Sequence, residues 1–234
     1  MPYQQAWEWQ RHLAAACANT RANDSLLLLE HPPTITLGRA AKREHLLVPE
    51  DELARRGVAV VASDRGGDVT YHAPGQLVGY PILKLSRYCR GLLSYLRGLE
   101  EVLIRTLATY DIAAVRIEGL TGVWVQTGAT AAKIAAIGIR LNATGVTAHG
   151  FALNINPDLA GFNQIVPCGI ADRGVTSIAA LRGWSPPMAE VSDRVVTNFA
   201  QVFDVTIVAA PAEASNVESV VAERGDPSCL NLSH

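Results

Sequence analysis

Apolar residues recur at Leu92, Leu96, Leu99, Leu103 and Leu107, spacings of 4, 3, 4 and 4 that place one stripe on one helical face. The sequence therefore predicts a helix from Leu92 to Tyr110, packed by that stripe on a core. Tyr3 to Arg21, with Trp7, Leu13, a run of alanines and no internal glycine or proline, predicts a second helix. Elsewhere the period shortens. Ser25 to Glu30 reads as a buried strand, His31-Pro32-Pro33 as an extended turn, and Thr34 to Leu37 as a second strand forming a hairpin-like pair with the first. Gly38 to Leu47 is a polar, basic loop expected to close over a site. Pro49 to Arg56 has proline at the start of a short helix and Gly57 just past its end, and Val58 to Ala62 returns as a strand.

Leu77 to Leu83 is a further strand, in which Pro81 implies an edge position or a bulge. Ile112 to Ile117, Gly122 to Val125, Lys133 to Leu141 and Val146 to Ile155 follow as strands joined by short turns, a largely antiparallel meander. Phe162 to Gly174 reads as a loop, Val175 to Leu181 and Met188 to Val202 as helices, and Phe203 to Val208 as a last strand. Beyond Pro211 the chain turns polar, and a poorly anchored tail is expected, with at most one helix before Arg224-Gly225-Asp226-Pro227. Strands in runs with helices gathered apart predict an α+β fold: a mixed, largely antiparallel sheet covered on one side by helices. The expected organisation is a single domain over 1–210 and a polar tail over 211–234.

Composition narrows the function classes. Of 234 residues, 49% are hydrophobic and 18% charged, enough for a substantial core, and no apolar run is long enough to span a bilayer. A net charge of -2 leaves no basic surplus for nucleic acid or a membrane surface. Cys17, Cys89, Cys168 and Cys229 have no close-paired metal spacing, so neither a metal nor a cofactor is expected, and reduced thiols in a cytoplasmic protein are the simplest reading.

Candidate chemistry gathers in four segments. Arg65-Gly66-Gly67-Asp68-Val69-Thr70-Tyr71-His72-Ala73-Pro74-Gly75-Gln76 combines tight-turn glycines with polar side chains, which fits either a ligand cradle or a decorated hairpin. Lys133 opens Ala132-Lys133-Ile134-Ala135-Ala136-Ile137-Gly138-Ile139. On strand alternation it shares a face with Ala135, Ile137 and Ile139, a costly place for a charge unless it is paired or reaches water. His149-Gly150-Phe151-Ala152-Leu153-Asn154 is the third segment. In the fourth, Ile165-Val166-Pro167-Cys168-Gly169-Ile170, proline and glycine flank a thiol in a way that suits its presentation, although a lone Pro-Cys-Gly is also compatible with a structural cysteine. A thiol at its ordinary pKa of about 8.5 is mostly protonated at neutral pH and needs a neighbouring cation or base.

Together these segments resemble the lipoyl (octanoyl) transferases, from about Leu26 to Leu181, with Ala73 standing where that family usually has glycine. The resemblance implies the biotin/lipoate protein ligase fold and a Cys168 nucleophile activated by Lys133. It further implies substrate-binding segments at Arg65, Gly66, Gly67, Asp68, Val69, Thr70, Tyr71 and His72, at Ala136, Ile137 and Gly138, and at Gly150, Phe151 and Ala152. It implies transfer of an octanoyl group from octanoyl-acyl carrier protein to a lysine on the lipoyl domain of a 2-oxoacid dehydrogenase or on the glycine cleavage H protein. His149 and His31 are candidate site-lining residues; pairing of His72 or His149 with the thiol would indicate a cysteine hydrolase instead. An ATP-dependent ligase of related fold, an amidotransferase and a non-catalytic carrier-binding module are the competing readings. No Walker-type loop supports the ligase, and a binder has no need of a reactive thiol.

Overall fold

The computed structural model describes residues 1–19, 24–128, 130–167, 173–209 and 218–223. All six residues of β1 (Asp24–Leu29) are buried, because both sides of the strand are covered. Leu26 and Leu28 enter one core beneath α3 (Leu92–Ala108) and α5 (Met188–Phe203), while Leu27 and Leu29 meet Ala6, Ala14 and Cys17 of α1 (Tyr3–Asn19). Helices thus flank both faces of the sheet. The expectation of one covered side fails because α1, read correctly as a helix, packs opposite the other two.

The main sheet is α+β in the expected sense, with every neighbouring pair antiparallel. After β1 it contains β5 (Gln76–Ile82), β6 (Ala114–Ile117), β7 (Leu120–Thr127), β8 (Thr130–Leu141), β9 (Thr147–Asn154), β10 (Thr206–Ala209) and β11 (Glu218–Glu223). Their order is β10-β11-β1-β5-β9-β8-β7-β6. The predicted meander is present as β6 to β9. Leu99, Leu103 and Leu107 of the α3 stripe are fully buried, whereas Leu92, in the first turn, is 40% exposed. No helix among the described residues is long and apolar enough to cross a membrane.

Three expectations are corrected. β1 and β2 (Thr34–Leu37) do not form a hairpin: β2 belongs to a small second sheet, parallel to β3 (Ala59–Ala62) and antiparallel to β4 (Val69–His72). His31-Pro32-Pro33 carries the chain from one sheet to the other instead of folding it back. β5 lies inside the main sheet, between β1 and β9, despite Pro81. Its pairing with β9 stops at Gly79↔Phe151, and just beyond, His149 takes φ 57 and gives its N–H to Gln10 Oε1 at 2.7 Å. The ladder is therefore already open where proline has no N–H to donate. Residues 218–223, expected in a loose tail with at most a helix, form β11 between β10 and β1, with Asp24 opposite Ala222. The rest of 210–234 lies outside the described residues. α2 (Glu50–Arg55), with Pro49 before it, and the short α4 (Ile178–Arg182), capped by the Ser177 hydroxyl, complete the chain.

Candidate active site

Regular alternation along β8 would put Lys133 with Ala135, Ile137 and Ile139. A β-bulge changes the count: Val123 pairs with Ala135 but Trp124 pairs with Lys133, so Ile134 is an extra residue. Ile134, Ala135 and Ile139 consequently face the α3 core, and Lys133 turns to the other side with Ala136. There it is 8% exposed and lines a small cavity with Thr70, Gln76, Ala152, Asn154, Phe162, Pro167 and Val175. Its ammonium stands 4.7 Å from the centroid of the Trp124 ring.

The same residue fixes the chain that leads away from the predicted nucleophile. Lys133 N–H donates to Gly174 O at 2.9 Å, and Lys133 O accepts from Thr176 N–H at 2.9 Å. On the approach side, Val166 N–H donates to His45 O at 2.8 Å and Leu46 bridges Ile165. Cys168 itself lies outside the described residues; Pro167, immediately before it, lines the Lys133 cavity.

Next to that cavity runs a slot enclosing about 470 Å³ including its open mouth. It brings together Arg65, Gly66, Gly67, Asp68, Thr70, His72, Ala136, Ile137, Gly138, His149, Gly150, Phe151 and Ala152, along with Tyr3, Val78 and Tyr80. Thr70, Ala136 and Ala152 belong to both spaces, so the slot abuts Lys133. Val69 and Tyr71 point away on the alternate face of β4, into a cluster where Tyr71 meets Phe162 edge-on at 5.4 Å. His31 stands behind the lining, its Nε2 2.7 Å from the Tyr80 hydroxyl.

The glycines are needed for close approach. Gly66 N–H donates to Ile139 O at 3.0 Å, and a Cβ at Gly66 would lie 2.8 Å from that oxygen; Gly67 has φ 84. Arg65, 7% exposed, holds the turn against β2, with Nε donating to Thr36 Oγ1 at 2.9 Å and Nη2 to Thr36 O at 2.5 Å. Asp68 accepts from Val69 N–H, Lys42 N–H and the His45 ring. The basic loop expected to close over the site is thereby tied to its glycine turn.

Three buried histidines share one end of this region. Desolvation pushes His31 down to about 4 and His72 and His149 down to about 3, so all are neutral near pH 7. His31 Nδ1–H donates to Met1 O at 2.7 Å, leaving Nε2 to accept from Tyr80. His72 Nδ1 is 2.8 Å from Gln76 Oε1, and the Gln76 amide donates to Asn154 Oδ1 at 2.8 Å. His149 Nε2 is 2.7 Å from Asp64 Oδ1. His72 and His149 line the slot and are not among the residues lining the Lys133 cavity.

The lowered values predict a pH dependence of stability. The unfolded chain binds these protons below about pH 6.5, whereas the native rings refuse them until about pH 4 or lower. Their stabilising contribution is complete above that window and is lost as pH falls through it. The melting temperature should drop by at least about 5 °C between about pH 7.5 and 5, and His31→Gln should flatten the decline. A constant melting temperature across that range would refute the assignment.

Residues that sequence reasoning left without a role are also present. Trp124 and the slot residue Tyr3 come from a strand and a helix far from the glycine-rich stretch, and the slot residue Tyr80 from the strand that follows it. The chain His72–Gln76–Asn154 continues to Thr176, whose carbonyl accepts from Asn154 Nδ2 at 2.9 Å and whose N–H meets Lys133 O. Trp124 could have been found as the cross-strand partner of Lys133, but only with the bulge counted. Nothing in the sequence ties Tyr3 to the site.

A family profile described as the lipoyl protein ligase A/B catalytic domain matches residues 2–200. An octanoyltransferase of Chloroflexus aggregans is 59% identical over 208 residues, covering 89% of this chain and 93% of that protein. One from Roseiflexus sp. is 55% identical over 203 residues, covering 87% and 84%. Among solved structures, a bipartite lipoate protein ligase from Thermoplasma acidophilum superposes with TM-score 0.63 at 18% identity, over 84% of this chain and 79% of that one. A lipoate-protein ligase A bound with ATP gives TM-score 0.62 at 18% identity, over 84% and 81%. At such identities the structures establish the fold alone.

Proposed function

The chain belongs to the lipoyl protein ligase A/B catalytic-domain family, and from that membership we propose an octanoyltransferase that works through an acyl-thioester on Cys168 with Lys133 as its proton carrier. It is an acyltransferase of protein lipoylation, taking an acyl donor and a lipoyl-domain acceptor. In the finer reading the donor is octanoyl-acyl carrier protein, the acceptor is the lipoyl domain of a 2-oxoacid dehydrogenase or the glycine cleavage H protein, and the compartment is the reducing cytoplasm.

The observation that supports this most is the shared wall. Lys133 and Pro167 line one cavity, and Thr70, Ala136 and Ala152 continue from it into the apolar slot. Consecutive Cα atoms are about 3.8 Å apart, so the thiol-bearing residue follows directly on a residue of the Lys133 cavity. An eight-carbon chain lying along Ala136, Ile137, Phe151 and Ala152 gains about 0.8 kcal/mol per buried methylene.

The chemistry follows. The Cys168 thiolate attacks the thioester carbonyl, the carbon–sulfur bond to pantetheine breaks, and the Lys133 ammonium protonates the departing thiolate. The neutral Lys133 amine then takes a proton from the acceptor lysine as its nitrogen attacks the acyl-enzyme. An amide forms, the thiolate of Cys168 leaves, and the starting pair is restored. No nucleotide is consumed.

The test is intact-protein mass after mixing with octanoyl carrier in the absence of ATP. A gain of one octanoyl group, localised to the Cys168 peptide and discharged by added lipoyl domain, is expected. Acylation that requires ATP and leaves no group on the enzyme would replace this reading with that of a ligase.

A further inference from the structure

Trp124 is almost fully buried, 1% exposed, and its indole N–H has no hydrogen-bond partner among the described residues. Buried tryptophans usually find one, so the polar edge of this side chain does not explain its place. Its π face offers an explanation. Lys133 Nζ lies 4.7 Å from the ring centroid and the Arg173 guanidinium carbon 5.7 Å from it. Lys133 and Trp124 are direct cross-strand partners only because the bulge at Ile134 brings them to one face.

Such a ring attracts a cation through its quadrupole, and the attraction strengthens when water is excluded. The other polar side chains around the Lys133 cavity, Thr70 from β4, Gln76 from β5 and Asn154 from β9, are uncharged, and His72 two residues beyond Thr70 is neutral. Arg173, on the same ring, is the other charged group placed here among the described residues.

We propose that Trp124 is the positioning residue for Lys133: its face holds the side chain in the cavity that Pro167 also lines and favours the ammonium form, which in turn sustains the thiolate. This rests on the Cys168–Lys133 reading above. Without the ring, the charged amine loses part of its stabilisation, the pair shifts toward thiol and neutral amine, and the thiolate appears only at higher pH.

The experiment is the pH dependence of iodoacetamide alkylation at the Cys168 peptide, run beside single-turnover acylation by octanoyl carrier. Trp124→Leu should move the alkylation midpoint up by about one pH unit and slow acylation at neutral pH by about tenfold, with little change in KM for the carrier. Trp124→Phe, which keeps a weaker ring, should fall between it and wild type. A site-specific series of mono-, di- and trifluorinated tryptophan at 124 keeps the shape while draining the quadrupole, and it remains informative where the leucine variant fails to fold. The midpoint should rise stepwise along that series. A folded Trp124→Leu protein with the wild-type profile, or no trend with fluorination, overturns the proposal. If Cys168→Ser is still octanoylated at close to the wild-type rate, the underlying reading has failed; if that variant is slowed about a thousandfold and the tryptophan variants are indistinguishable from wild type, only the positioning role has.

Discussion

Cys168→Ser should lower octanoyl transfer by about a thousandfold or more while leaving the melting temperature within a few degrees of wild type. A serine hydroxyl is too weak an acid to ionise beside an amine, so the attacking atom is never an anion at neutral pH. Its acyl product would be an ester, which gives up its chain to an amine more slowly than a thioester does. The two other thiols among the described residues do not substitute. Burial and the carboxylate of Asp24, which accepts from Cys17 Sγ at 3.0 Å, push the Cys17 thiol up to about 12, and burial raises Cys89 as well. Both should stay unlabelled when a mild alkylating agent modifies Cys168, and Cys89→Ser should keep full activity. Transfer by Cys168→Ser within tenfold of wild type would remove the covalent intermediate from the mechanism.

Lys133→Met should cost about a hundredfold to ten-thousandfold in kcat, the usual span for losing a positioned proton carrier, with KM for the carrier little changed. Methionine fills the same volume on the Trp124 face but neither stabilises a thiolate nor moves a proton. Lys133→Arg should restore alkylation of Cys168 in part and transfer hardly at all, because a guanidinium supplies charge but does not give up its proton. A split of that kind separates the electrostatic from the acid–base contribution of the lysine. Equal recovery of both activities in the arginine variant would mean that the proton travels by another route.

The parts of the fold that follow a simple period were legible in the sequence. The leucine stripe of α3 was legible from residue spacing because that helix packs one face on one core, and β6 to β9 were legible as strand-like runs separated by short turns. What escaped depends on partners distant in the chain. Pro81 suggests an edge or a bulge, yet β5 is interior, and the left-handed backbone of β9 at His149 makes room for it. β11 carries no signal that says it will pair with β1. At the site, the segments that line the slot were recognisable by their glycines and their likeness to a family, and they do meet around one space. Simple alternation puts Lys133 on the wrong face, because Ile134 is a bulged residue and not an ordinary strand position. Val69 and Tyr71 were grouped with the binding segment since a contiguous motif does not reveal that alternate side chains of β4 serve a separate hydrophobic cluster.

The pairing of Asp24 with Ala222 has a kinetic consequence. Residues so far apart meet late, since a loop of that length must close first, and until then β1 offers an open edge to any other extended chain. Refolding should therefore show a slow final phase sensitive to protein concentration, and a soluble peptide copying residues 218–223 should compete for that edge and suppress self-association during the wait.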